Sequence, residues 1–322
     1  MNYLWAFLLS LGTTMLLVKP LTRLAHKLEF VDKPTERKKH KIPMPLIGGT
    51  AMFIGFLPAF FIFVGFFGVE GFRADARRYV AIIIGALIFY SINLVDDFFK
   101  TRKREFPVYP RFIAHIAAAT LVYFVGIRFY GITMPWSDTY IPFHPVLQYF
   151  LTVAWIFGVT TVINWSDGLD GMAGGFAGIT ACTLFIFAMS MGEASSAFMS
   201  VALIGCIIAF LRYNFFPAKI FMGDSGTNFL GYMLAVISLH GAFKQATLIS
   251  IVIPVIALGI PIFDGIFVVI KRFISRKPIY KADRSHLHHR LEKRGLSPFH
   301  TIIFLYLFCI CVNLTSIIIM LL

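Results

Sequence analysis

Long apolar runs alternate with short polar connections from one end of the chain to the other. A helix needs about 20 mostly apolar residues to cross the hydrocarbon of a bilayer. On that measure the pattern predicts ten spans, at 2–18, 47–69, 79–95, 112–130, 146–163, 171–191, 197–213, 227–242, 246–270 and 301–322. The run 227–242 is short, and 246–270 can tilt or bend at Pro254 and Pro261. No basic residue precedes the first run and Lys19 and Arg23 follow it, which argues against a cleavable signal peptide. Neither a soluble linker nor an internal repeat interrupts the series, so 1–322 reads as a single integral membrane domain.

Composition agrees with the pattern. Of 322 residues 58% are hydrophobic and 14% charged, against about 25% charged in an ordinary globular protein. Thirty-six Phe and a mean hydropathy of +0.79 leave more apolar side chain than a core of this size could hide from water. Soluble Rossmann, barrel and sandwich folds are excluded, and the expected class is an all-α polytopic membrane protein. The four cysteines (Cys182, Cys206, Cys309, Cys311) sit in apolar runs without metal-like pairing, as small hydrophobes do.

The net charge of +13 acquires a meaning once it is located. Twenty-four of the 29 Lys and Arg fall in the connections of one side and five in those of the other. The basic side is cytoplasmic by the positive-inside rule, which turns both termini outward and needs no nucleic acid to explain the charge. Acidic residues obey no such rule, yet only Glu70, Asp75, Asp138 and Glu193 of the sixteen fall on the outer side. Asp96, Asp97, Asp167, Asp170 and Asp224 stand at the ends of apolar spans. Carboxylates at a membrane boundary are costly unless paired or metal-bound, so they mark a candidate site.

Five constellations lie on that inner side. The first loop carries Asp32, His40 and Lys41, then Pro43 and Pro45 before Gly48-Gly49, a turn that brings backbone close to another surface at a helix entrance. Its basic groups suit a phosphate, or equally an anionic lipid surface. Asn93-Leu-Val-Asp96-Asp97 sets two carboxylates side by side, which suits a divalent cation or a poised base; a solvated helix end is the plainer reading. Asn164-Trp-Ser-Asp167-Gly-Leu-Asp170-Gly171 contains no basic residue, and its oxygen ligands and flexible glycines suit a hard cation such as Mg²⁺, or a structural turn. Phe221-Met-Gly223-Asp224-Ser-Gly226 adds another carboxylate beside flexible backbone and a ring able to stack on a flat base. In Asp283-Arg-Ser-His286-Leu-His288-His289-Arg290, arginines flank the histidines and no cysteine completes a zinc set, so a pyrophosphate-binding lid fits better.

Asp96-Asp97, Asn164-x-x-Asp167-Gly-Leu-Asp170-Gly, Phe221-Met-Gly-Asp224-Ser-Gly and His286-Leu-His288-His289-Arg290, in this order, resemble the motifs of the polyprenyl-phosphate N-acetylhexosamine-1-phosphate transferases, glycosyltransferase family 4. The resemblance covers nearly the whole chain. It implies Mg²⁺-dependent transfer of N-acetylglucosamine 1-phosphate from UDP-N-acetylglucosamine to undecaprenyl phosphate, with release of UMP. Mn²⁺ would be able to replace Mg²⁺. That is the first membrane step of a cell-wall or surface polysaccharide, such as teichoic acid or O-antigen, at the bacterial plasma membrane, and a homodimer is compatible with it. The His-Leu-His-His-Arg form is similar to the N-acetylglucosamine branch; the muramoyl-pentapeptide transferases are the alternative within the family. Carried over by position, the resemblance makes Asp224 and Asn164 metal ligands. Asp96, Asp97, Asp167 and His286 become catalytic groups. Lys41, Leu169, Asp170, Asn214, Phe221 and Gly223 form the nucleotide pocket, and His288, His289 and Arg290 contact the diphosphate and sugar. Two departures bear on the lipid side: the basic and aromatic stretch from Lys100 to Arg111, and the bulky Trp165.

A transporter is the reading from a different class. Transporters usually carry ionisable groups near mid-membrane, in broken helices and repeated halves. Here the inner-span candidates are His115, Asp264 and His240, and no halved symmetry is present.

Overall fold

The computed structural model describes residues 2–34, 42–66, 76–133, 139–241, 248–276 and 285–321. Twelve helices account for most of them: α1 (Asn2–Lys27), α2 (Gly48–Phe66), α3 (Ala76–Thr101), α4 (Val108–Phe124), α5 (Pro145–Trp165), α6 (Met172–Ser190), α7 (Ala194–Asn214), α8 (Gly223–Gly241), α9 (Leu248–Ala257), α10 (Gly259–Ile274), α11 (Leu287–Lys293) and α12 (Pro298–Leu321). Two short antiparallel ladders depart from an all-helical plan. Strand β1 (Val31–Asp32) pairs with β2 (Met44–Pro45), and β3 (Gly131–Thr133) with β4 (Tyr140–Pro142). Both pin connections between helices.

Six described helices, α1, α3, α5, α6, α7 and α12, are long and apolar enough to cross a membrane, and the α9–α10 pair makes a seventh if counted as one bent span. In α2 the stretch Gly48–Ile62 is apolar but shorter, as is α4. The bend expected around Pro254 and Pro261 is a 76° break on either side of Leu258. Large apolar side chains such as Phe124 and Phe273, 76% and 77% exposed, cover the outside, as they do where the surrounding medium is lipid.

The core is organised around α8. Every residue from Ser225 to Gly241 is buried, with α3 and α5 packed along it and α2, α6 and α7 completing the wall. Small residues permit this approach. A Cβ on Gly231 would lie 2.6 Å from the Cα of Thr160 in α5, and one on Gly85 of α3 would run into the Tyr232 hydroxyl. That hydroxyl instead donates to the Ile82 carbonyl at 3.0 Å. A helix enclosed by protein need not match the full hydrocarbon thickness or be apolar throughout, which accounts for the shortness of the 227–242 run.

Helix ends and span ends do not coincide. The 79–95 span sits inside α3, which continues to Thr101, so Asp96 and Asp97 lie within a helix rather than at its terminus. Both are 2% exposed. Hydropathy marks where hydrocarbon stops, whereas a helix stops where its hydrogen-bond ladder does.

Candidate active site

Adjacent residues on a helix diverge by about 100°, so Asp96 and Asp97 face different partners. Asp97 turns to α8. Its Oδ1 accepts the Asp224 N–H and its Oδ2 the Ser225 N–H, each at 2.9 Å. These are unpaired donors of a helix's first turn, where negative charge is favoured. Gly223 enters that turn at φ +74°, and a Cβ there would stand 2.6 Å from Asp97 Oδ2. Only glycine meets both conditions.

Asp96 turns toward α4. Its Oδ2 takes Lys100 Nζ at 2.8 Å and Arg111 Nη1 at 2.5 Å. Lys100 also bonds Asp224 Oδ2, and Arg111 Nη1 lies 3.8 Å from that same oxygen. Two carboxylates from distant segments thus converge on shared positive charge. Beside them Asn164 Nδ2 donates to Thr227 Oγ1 at 2.7 Å, and Thr227 donates to the Asp224 carbonyl at 3.2 Å. Asp97, Asn164 and Asp224 therefore belong to one hydrogen-bonded patch.

The turn between α5 and α6 supplies the next wall. Asp167 is open to solvent on this face, yet dense surrounding protein and then the carboxylates of Asp224, Asp170 and Asp97 push its carboxyl up to about 7. With water at the side chain, the three like charges are the firmer cause. Asp170 Oδ2 accepts the Ala218 N–H at 3.0 Å. Asn214 Oδ1 accepts the Gly171 N–H at 2.9 Å while its Nδ2 donates to the Ile220 carbonyl at 2.8 Å. Leu169 is buried with Met172, Phe176, Ile302 and Leu305. Asp170 and Asn214 therefore hold the α5–α6 turn against the α7–α8 connection, and Leu169 anchors it against α6 and α12; their expected place in a nucleotide pocket comes with a scaffolding duty.

The first loop closes onto the same connection. Phe221 bridges Leu46 in parallel: its N–H donates to Pro45 O at 2.9 Å and its carbonyl accepts the Gly48 N–H at 3.0 Å. Gly49 donates to Met222 O at 3.0 Å, and a Cβ on Gly49 would fall 2.4 Å from the Gly226 nitrogen. The close backbone approach expected of the paired glycines is found here. Lys41, with Asp283 and Arg284 of the last loop, lies outside the described residues.

The histidine segment forms the short helix α11 and its entrance. His288 is buried over the α5–α6 turn; a Cβ on Gly168 would meet its Nε2. His289 Nδ1 lies 3.6 Å from Glu292, and the Arg290 guanidinium stacks on the Phe267 ring at 4.6 Å. The His286 ring stands edge-on to Trp165, 6.2 Å between centroids. The described segments of the five constellations are thus linked through α3, the α5–α6 turn and the α7–α8 connection, with Asn93 buried beneath on His115.

Reasoning from sequence missed several contributors. Lys100 follows Asp96 by four residues, a readable i,i+4 helix pair. Arg111 gives no local signal, since its contact joins two helices. Thr227 looked like an ordinary span residue. The three inner-span candidates are engaged within the protein: His115 with Asn93 at 2.9 Å, His240 with Ser196 at 3.1 Å, and Asp264 with His286 at 2.8 Å. Among the described residues no three His, Cys, Asp or Glu side chains are grouped tightly enough to hold an ion by themselves.

The class this geometry defines is a polytopic membrane protein with a carboxylate and histidine site carried by α3, the α5–α6 turn, the start of α8 and α11. The chain belongs to glycosyl transferase family 4, whose characteristic pattern matches residues 79–242. Over 313 residues it is 36% identical to the probable undecaprenyl-phosphate N-acetylglucosaminyl 1-phosphate transferase of Bacillus subtilis (strain 168), covering 97% of this chain and 84% of that protein. Against the decaprenyl-phosphate N-acetylglucosaminephosphotransferase of Mycobacterium leprae (strain TN) it is 32% identical, covering 88% and 75% respectively. With the undecaprenyl-phosphate alpha-N-acetylglucosaminyl 1-phosphate transferase of Salmonella typhi identity is 25%, covering 85% and 72%.

Proposed function

We propose that this protein transfers N-acetylglucosamine 1-phosphate from UDP-N-acetylglucosamine to undecaprenyl phosphate at the inner face of a bacterial plasma membrane. Ten crossings, with both termini outside and the basic loops inside, complete the proposal. The supporting observation is the convergence of Asp96, Asp224, Lys100 and Arg111 beside the α5–α6 turn and the histidine segment, in a chain similar to transferases of that name over almost its full length. A sugar nucleotide comes from water and a prenyl tail stays in lipid, so the two can meet only at such an interface.

In the proposed reaction an oxygen of the prenyl phosphate attacks the sugar-bearing phosphorus of the nucleotide. The bond from that phosphorus to the bridging oxygen of the nucleotide's diphosphate breaks, and UMP leaves carrying the bridging oxygen while the prenyl-phosphate oxygen becomes the new bridge. One anhydride replaces another, so no further energy source is needed. The main obstacle is bringing an anion against an anion, and phosphoryl transfer asks a protein mostly for alignment and charge neutralisation. Lys100 and Arg111 supply fixed positive charge, and Arg290 and the histidines supply donors. The prenyl phosphate, with a second pKa of about 6, is largely dianionic at neutral pH, so a base is only partly required. Asp224, with Asp96 and Asn164 beside it, would hold Mg²⁺ or Mn²⁺. Two carboxylate oxygens already converge on one cationic nitrogen, and hard oxygen donors suit that ion. When bound, the ion supplies further charge neutralisation at the diphosphate. Asp97 keeps α8 and hence Asp224 in register.

The test is purified protein in detergent with undecaprenyl phosphate, Mg²⁺ and a panel of UDP-sugars, read as UMP release. UMP is expected with UDP-N-acetylglucosamine and is abolished by chelation. Release only with a UDP-muramoyl-pentapeptide would move the protein to the other branch. No release with any sugar nucleotide would reject the reaction.

A further inference from the structure

Asp264 is an acid in an otherwise apolar helix segment, three residues after Pro261, and nothing in the motifs above assigns it a task. In the structure both of its oxygens are committed to the entrance of the histidine segment. Oδ2 lies 2.8 Å from His286 Nδ1, and Oδ1 accepts the Leu287 N–H at 2.8 Å. The pair is largely enclosed, with side chains 14% and 12% exposed, and the Trp165 ring stands edge-on to the imidazole. We propose that Asp264 is the positioning residue of the histidine segment. It fixes His286 in the tautomer protonated at Nδ1, so that Nε2 is the ring nitrogen presented to substrate, and it ties the start of α11 to α10. The proposal deepens the transferase reading and rests on it for its kinetic part.

The chemistry is that of a carboxylate orienting a histidine from behind. An ionised carboxylate only accepts hydrogen bonds, so the facing ring nitrogen must carry a proton. The second oxygen is equally constrained, because a backbone N–H can only donate. One rigid group therefore sets the ring's proton, its rotation and the adjacent backbone together. His288 gains as well: its ring lies parallel to that of His286, 12° apart with centroids at 5.8 Å, and it rests on the α5–α6 turn. Displacing His286 would disturb the contact between the lid and the turn that carries Asp167.

Replacement by Asn separates this account from a merely structural one. Its side-chain oxygen must face the Leu287 N–H, which leaves its NH₂ toward His286 Nδ1 and forces the opposite tautomer. Orienting groups behind a functional histidine typically matter by about 10–100-fold, and Asp264→Asn is expected to lower kcat by that factor with a smaller change in KM for UDP-N-acetylglucosamine. Asp264→Glu should recover part of the loss. In a His286→Gln background the same Asn substitution should cost less than about 3-fold, since its effect passes through the ring. An equal loss in both backgrounds would overturn the proposal. Independently of any turnover, ¹⁵N spectra of the full-length protein in detergent should show neutral His286 protonated at Nδ1 in the wild type and at Nε2 in Asp264→Asn. Protonation at Nε2 in the wild type would sink the assignment even if the enzyme is active. The expected spectra with no UMP release from any sugar nucleotide would keep the Asp264–His286 assignment and reject the transferase reading alone.

Discussion

Gly223 and Asp97 make each other necessary. The glycine adopts φ +74° and leaves room for a carboxylate that would lie 2.6 Å from any Cβ, while that carboxylate receives the first N–H groups of α8. Gly223→Ala should cost about 1–3 kcal/mol of stability and displace Asp224, seen as a lower unfolding midpoint in detergent and a turnover loss that extra Mg²⁺ does not restore. Asp167 carries the clearest pH signature outside the helices. An acid whose pKa is raised to about 7 keeps its proton below that pH and is charged above it. If its charged form is needed, kcat/KM should rise through about pH 7 and lose that limb in Asp167→Asn. A bound cation nearby favours the charged form, so the limb should move to lower pH as Mg²⁺ is raised; a limb unmoved by both changes would clear Asp167 of the role. At this scale the acidic residues were legible because a carboxylate at the end of an apolar run breaks the pattern around it. Arg111 was not, since a contact made across a helix pair leaves no mark on its own neighbourhood. Asp264 was visible as an anomaly, but its partner lies 22 residues away and only the fold joins them.

At the scale of elements, hydropathy located the apolar helices, of which six or seven are long enough to cross a membrane, and misjudged where helices stop. The stretch from Lys100 to Arg111 read as a departure that put the lipid side in doubt, yet it closes α3, opens α4 and places both of its terminal cations on Asp96. The α3–α8 contact should be measurable directly. Tyr232→Phe removes a buried hydroxyl that donates to Ile82 and leaves that carbonyl to its helix partner alone, an expected loss of about 1 kcal/mol with activity little changed. Asp97→Asn is different in kind. Its amide can accept only one of the two N–H groups it faces and sets a donor against the other, so it should destabilise α8 by about 1–3 kcal/mol and remove turnover together. Thermal unfolding of the two variants, compared with UMP release, separates a packing contact from one that also positions the site.

For the whole molecule, five segments far apart in sequence meet because α8 runs through the middle and every site loop touches one of its neighbours. The proposed topology predicts that a cysteine placed at Asp138 reacts with a membrane-impermeant maleimide added outside intact cells, whereas one placed at Arg276 reacts only after permeabilisation. Equal labelling at both positions from outside would reject the orientation. The ten runs were readable from composition alone, since lipid and a protein interior both select apolar side chains. For the same reason the pattern did not show which runs face lipid, and α8 is one that protein encloses.

The enclosure of α8 also bears on how the protein is made. With Asp224, Asn228, Ser238 and His240 along it, this helix is a poor guest for bare lipid and a good one for a cradle of α3, α5 and α7. Biogenesis should therefore be ordered: nascent chains holding everything up to α8 retain it in the bilayer, while α8 behind a foreign leader slips through the translocon into the far compartment.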